Sequence, residues 1–226
     1  MFRNTLVIAL LFCCLSSSAA FAQQKQLPIS PIIQQSPVWC WAAVSEMYFR
    51  YKHISSLSPA GHQCAAAALI APACNNNCAN CITGAPSWTY FGQVVERYPR
   101  LVSTVLRNTK WLSFQFEDQH GSMDYMDIKA AIDDDKPVFA GINPSSGIDL
   151  SDVPQHVTMI IGYRDIPDNT DDGYLIVNDP FPFPTMHEPY IAAGGTKLSR
   201  GRYKILRSQF MNDLDWTASG YVNDLN

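Results

Sequence analysis

Apolar positions follow different rules in successive stretches of this chain. Residues 6–15 form an unbroken apolar run behind Arg3, and the run leads to Ala20-Phe21-Ala22. Residues 23–33 are polar and then punctuated by Pro28 and Pro31, which predicts an extended lead-in packed along the body. From Pro37 onward Val44, Met47, Tyr48 and Tyr51 fall at helical spacing, so a buried helix is expected, ending between residues 53 and 58. Residues 86–97 predict a second helix, with Trp88, Phe91, Val94 and Val95 on one face and Pro99 closing it. Residues 101–116 alternate poorly and predict no element. Residues 122–134 read as a third helix capped by Ser122, with Met126, Ala130 and Ile132 inward.

Lys136-Pro137 then breaks the pattern to a strand at Val138–Ile142. Two β-rich runs follow, His156-Val-Thr-Met-Ile-Ile-Gly-Tyr163 and Gly173-Tyr-Leu-Ile-Val-Asn-Asp-Pro180. The intervening residues 164–172 are rich in Asp, Asn and Pro, so the pair reads as an antiparallel hairpin. With Gly162 paired to Gly173, His156 falls opposite Asp179, their side chains on one face and their Cβ atoms ~5 Å apart. A one-residue slip would bring Asn178 to that place instead. Residues 194–226 contain a strand at Arg202–Leu206 and a short element ending with Trp216 and Tyr221.

The first apolar run has the marks of a secretory signal: a charged start, a short apolar core and a small-x-small cleavage site. Residues 1–22 are therefore expected to be removed, leaving one domain over residues 23–226. The run is shorter than the ~20 apolar residues of a membrane span, and no later segment reaches that length. Cys13 and Cys14 lie inside it, well before the cleavage site, so neither reads as a lipid-attachment cysteine. The expected product is soluble and secreted or periplasmic.

The formal net charge of the 226 residues is −4, one unit more negative once Arg3 leaves with the signal. Lys and Arg are nowhere clustered, which argues against a nucleic-acid partner. Cys64, Cys74, Cys78 and Cys81 form a cysteine-rich insertion, residues 64–81, with Asn75, Asn76, Asn77 and Asn80 among them. In an exported chain they predict two disulfides, in any of three connectivities. A four-thiolate zinc site is the competing reading; it lacks a second two-residue spacing, because nine residues separate Cys64 from Cys74.

Cys40 is left without an obvious partner. It lies in Gln34-Gln35-Ser36-Pro37-Val38-Trp39-Cys40-Trp41-Ala42-Ala43, where Ser36-Pro37 is a helix-start signal that puts Cys40 in an opening turn. The positive end of a helix favours thiolate over thiol, and thiolate is the nucleophile. Gln34, six residues upstream, can donate its amide toward an oxygen attacked near Cys40. Taken alone, Cys40 between two tryptophans is a small buried hydrophobe; Gln34 and the His156 and Asp179 blocks favour the nucleophile. His53 lies about three turns from Cys40 at ~5.4 Å per turn and cannot be its base. His62, His120 and His187 begin no buried apolar strand and read as surface residues.

This stretch resembles the papain-like cysteine peptidases, above all the bacterial C39-like and AvrRpt2-like (C70) types with their Trp-Cys-Trp-Ala-Ala block. The resemblance implies an α+β fold, a helical half with a central cysteine-bearing helix packed against an antiparallel β-sheet half. It implies a Cys40–His156–Asp179 triad with Gln34 in the oxyanion hole. The expected protein is a monomeric cysteine-type peptidase that hydrolyses protein or peptide substrates through an acyl-thioester and needs no cofactor. Amidase or acyl-transferase chemistry on the same triad, a catalytically silent binding module and a zinc-binding interaction domain are the alternatives.

Overall fold

The computed structural model describes residues 22–76, 78, 81, 87–106, 112–144 and 156–225. The expected signal lies outside these residues apart from Ala22, as do Asn77, Asn80 and Pro86. The central helix, α1 (Cys40–Tyr51), has no solvent face along most of its length: residues 40–49 are all buried. It packs between α2 (His62–Ile70) and α3 (Ser87–Val105) on one side and the sheet on the other.

α1 begins at Cys40, not at Pro37, and Trp39 rather than Ser36 occupies the capping position, with no side-chain cap. Residues 36–39 form a turn closed by the Trp39 N–H donating to Ser36 O at 3.1 Å. The helix ends at Tyr51, and His53 follows in a left-handed conformation, φ 55°. α3 runs past Pro99 to Val105 instead of stopping there. Tyr98, Pro99 and Val102 continue its buried stripe, and that burial outweighs the ~3 kcal/mol an interior proline costs.

The helix expected at 122–134 is shorter, α4 (Tyr125–Asp133), with Asp124 rather than Ser122 at its head. Its inward face is Tyr125, Ile128, Ala131 and Ile132, while Met126 is 58% exposed. The stripe through Tyr125 and Ile128 carries more apolar area than the one through Met126 and Ala130, so the helix turns that face to the core.

All strand pairings are antiparallel. The strands are β1 (Gln24–Gln26), β2 (Phe114–His120), β3 (Val138–Ile142), β4 (His156–Ile166), β5 (Asn169–Asn178), β6 (Thr196–Ser199), β7 (Arg202–Leu206) and β8 (Trp216–Asp224). Their order across the sheet is β2-β8-β3-β4-β5-β7-β6, with β1 pairing β4 past the end of β3. The lead-in is thus held along the body as expected, and Gly162 is where it approaches most closely, since a Cβ there would lie 2.6 Å from Lys25 O. β2 comes from the stretch with no clean period and extends through His120, which is exposed at the end of the strand. β8 is not an edge element; it is inserted between β2 and β3. Two short helices, α5 (Pro189–Ala192) and α6 (Arg207–Asp213), flank β6 and β7 in the chain.

The β4–β5 hairpin is tighter than the sequence suggests and its register differs. The strands run to Ile166 and from Asn169, and Gly173 faces Asp165, not Gly162. A bulge between Ile160 and Gly162 then shifts the ladder, giving Met159 opposite Asn178. Continued by one residue, that register sets Asp179 opposite Thr158, two positions from His156. Because side chains alternate, an offset of two keeps His156 and Asp179 on one face.

In the cysteine-rich insertion Cys64 bonds Cys78 and Cys74 bonds Cys81. All four sulfurs are consumed in disulfides, so none is a thiolate ligand. Among the described residues no helix is long and apolar enough to cross a membrane.

Candidate active site

Cys40 is the first residue of α1 and the free cysteine of the described chain. The first turn of a helix presents unsatisfied N–H groups and a partial positive charge. His156 opens β4, the strand against which α1 packs, and its ring lies close enough to Cys40 to act on the thiol. Its Nε2 donates to Asp179 Oδ1 at 2.7 Å, which leaves Nδ1 for the sulfur. His156 and Asp179 are 2% and 0% exposed.

These contacts set the charges. Burial pushes the Cys40 thiol up, but the His156 hydrogen bond and charge, then Ser87 and a backbone hydrogen bond from Val157, outweigh it and hold the thiol below its ordinary value. Burial likewise disfavours the His156 imidazolium; the Asp179 charge and hydrogen bond, with Cys40, overcome this and raise it to about 10. The pair therefore favours thiolate–imidazolium over thiol–imidazole.

Asp179 sits one residue past β5, where its N–H donates to Gly201 O at 2.9 Å. Gly201 has φ +72°, and a Cβ there would lie 2.9 Å from Asp179 O, so this crossing requires glycine. Both carboxylate oxygens are occupied: Oδ1 also accepts the Phe181 N–H at 2.8 Å, and Oδ2 accepts the Tyr190 hydroxyl at 2.8 Å. Asn178 is turned away, its Nδ2 on Ile29 O and its Oδ1 on Arg202 Nε.

Gln34 is tied to the same corner, its N–H donating to Pro180 O at 3.0 Å. Its side chain is buried, with Nε2 donating to Ser36 O at 2.9 Å and Pro37 O at 2.7 Å. Both amide hydrogens are thus engaged by the turn that leads into Cys40.

A helix-mounted cysteine, a strand-mounted histidine on its carboxylate and an antiparallel sheet are together a papain-like arrangement. The sequence profile of the Peptidase_C39 like family matches residues 21–211. The chain belongs to that family. Membership makes this a cysteine-type peptidase, a hydrolase acting on peptides, and the mixed α+β architecture described above is the fold expected of it. No curated protein matches the chain.

The other histidines of the peptidase lie elsewhere. His62 is engaged with Ile54 O at 2.8 Å, while His120 and His187 are exposed. Trp39 and Trp41 are buried core residues, Trp41 packing edge-on to Tyr90 at 5.6 Å. Several neighbours of the site carry no sequence signal that marks them. Ser87 heads α3, and its hydroxyl is fully buried beside the Cys40 sulfur without a conventional partner. Phe181 and Phe183 set their rings edge-on to His156 at 6.0 and 6.2 Å. Tyr190 stacks on Tyr203 at 4.1 Å. Only the alternating Pro-Phe-Pro-Phe that follows Asp179 hints at an aromatic wall.

Proposed function

We propose that this peptidase is exported, through a signal over residues 1–22, and hydrolyses protein or peptide substrates with Cys40, His156 and Asp179 as its triad. The domain over residues 23–226, with its cysteine-rich insertion at residues 64–81, acts as a monomer without a cofactor in the periplasm or outside the cell. The two disulfides support an oxidising compartment. The observation that carries the catalytic reading is the buried chain Cys40–His156–Asp179, with His156 donating to Asp179 at 2.7 Å.

The Cys40 thiolate attacks the peptide carbonyl and forms the C–S bond as the carbonyl π electrons move to oxygen. The N–H groups at the head of α1 stabilise that oxyanion. Gln34 joins them by exchanging one carbonyl partner, Ser36 O or Pro37 O, for the oxyanion. His156 gives its proton to the leaving amine, then takes one from the water that hydrolyses the thioester. Asp179 keeps the imidazole in the tautomer and orientation both steps need.

The test is digestion of a diverse peptide library by the chain from residue 23 onward and by its Cys40→Ser variant. Cleavage by the first and none by the second is expected. Equal cleavage by both, or acyl transfer without hydrolysis, would overturn the peptidase assignment of the triad.

A further inference from the structure

Asp179 is more than a partner for His156; its side chain is fully buried, so every hydrogen bond it makes is with protein. A buried polar group is costly unless donors replace its lost hydration. Three donors reach it: the His156 ring and the Phe181 N–H at Oδ1, and the Tyr190 hydroxyl at Oδ2. Two of the three share one oxygen. Among the described residues Tyr190 alone holds the other, and with it the rotation of the carboxylate plane.

We infer that Tyr190 is a positioning residue of the site, fixing Asp179 so that one oxygen is permanently committed to His156. This rests on the peptidase reading above. The ring is placed for the task. It is fully buried, stacked on Tyr203 with planes 7° apart, and bordered by Phe183 and Phe210. The backbone is fixed too. Tyr190 O accepts the Gly195 N–H at 2.8 Å, and Glu188, just before α5, is paired with Lys197 of β6. Burial and the Asp179 charge push the Tyr190 phenol well above its ordinary value, so it remains a donor throughout the working range of the enzyme.

Tyr190→Phe removes one oxygen and keeps the ring, leaving Oδ2 buried and unpaired. The carboxylate is then free to turn away from His156, the imidazolium loses the fixed partner that sustains it, and the Cys40 thiolate loses that support in turn. The expected result is a kcat lower by about tenfold, equivalent to about 1.4 kcal/mol, with KM within about twofold. The acid limb of Cys40 alkylation by iodoacetamide moves to higher pH by about half a unit or more.

Phe210→Leu loosens packing beside the same ring without touching Asp179 and serves as the control for lost stability. It lowers Tm and leaves the acid limb where it is. If both variants shift the limb equally, or if Tyr190→Phe shifts neither limb nor kcat, Tyr190 is only a packing residue, and the triad reading stands. If wild-type alkylation shows no dependence on His156, the triad reading and this inference fall together. Should Tyr190→Phe not fold, a double-mutant cycle with Tyr190→His and Asp179→Asn replaces it; additive effects on kcat would overturn the proposal.

Discussion

Asp179 reaches His156 from beyond the end of its strand, at 2.7 Å, whereas the neighbouring Asn178 faces the other way onto Ile29 and Arg202. Two adjacent residues thus face opposite ways, a carboxylate onto His156 and an amide onto Ile29 O and Arg202. Asp179→Ala should lower kcat by on the order of 10²-fold, with His156-dependent alkylation lost. Asn178→Ala should instead lower Tm, through unpaired buried groups worth about 1–3 kcal/mol, and leave the alkylation profile of the remaining folded enzyme intact. Measured together, the two variants separate the roles.

The direction of the two shifts at the Cys40–His156 pair predicts the pH profile. The thiol is held below its ordinary value, so alkylation stays on a plateau through neutral pH and falls only as acid protonates the thiolate. His156 remains imidazolium up to about 10, so hydrolysis, which also needs that proton, declines on the alkaline side at that pH. In His156→Ala the hydrogen bond and charge of the imidazole vanish, only Ser87 and the Val157 backbone still favour the thiolate, and burial dominates. The thiol then rises above its ordinary value, and alkylation becomes fast only in alkali. An unchanged profile in His156→Ala would contradict the ion pair.

Ser87 lowers the thiol through a hydroxyl that has no other partner among the described residues. Ser87→Ala should shift the acid limb of alkylation upward by less than His156→Ala does, with folding retained, because a buried hydroxyl replaced by a methyl leaves no polar group behind on α3. The iodoacetamide profile of the purified variant reads this directly.

Gln34→Ala distinguishes binding of the oxyanion from activation of the sulfur. Loss of one oxyanion donor costs about 10²–10³-fold in kcat. The alkylation rate should stay near that of the wild type, because iodoacetamide attack develops no oxyanion. A matching fall in both would mean that Gln34 serves only the turn through Ser36 and Pro37.

The disulfide connectivity is checkable by mass spectrometry. Digestion without reductant should give linked peptides Cys64–Cys78 and Cys74–Cys81, with Cys40 the alkylated residue. Reduction should lower Tm. Loops of this size close at an entropic cost of up to about 3 kcal/mol in the unfolded chain.

The residues that announce themselves in the sequence do so through short-range physics. Cys40 with its flanking tryptophans, the helical spacing of Val44, Met47 and Tyr48, the strand at Val138–Ile142 and the apolar run after His156 each depend on a few neighbouring positions. The α+β class and the placing of Cys40 at a helix mouth were legible for that reason. The helix past Pro99, the inward face of α4 and the central place of β8 were not, because burial by distant elements overrode local propensity.

The site divides along the same line. By itself the sequence determined which side chains could do the chemistry: a cysteine, a histidine and an aspartate on segments that a hairpin could bring to one face. Tertiary structure alone decided how they meet. A bulge at Ile160–Gly162 sets the register, the crossing at Gly201 fixes the end of β5, and Ser87 and Tyr190 arrive from remote segments. No local pattern encodes those contacts, since each results from packing between segments whose separation along the chain carries no periodic signal.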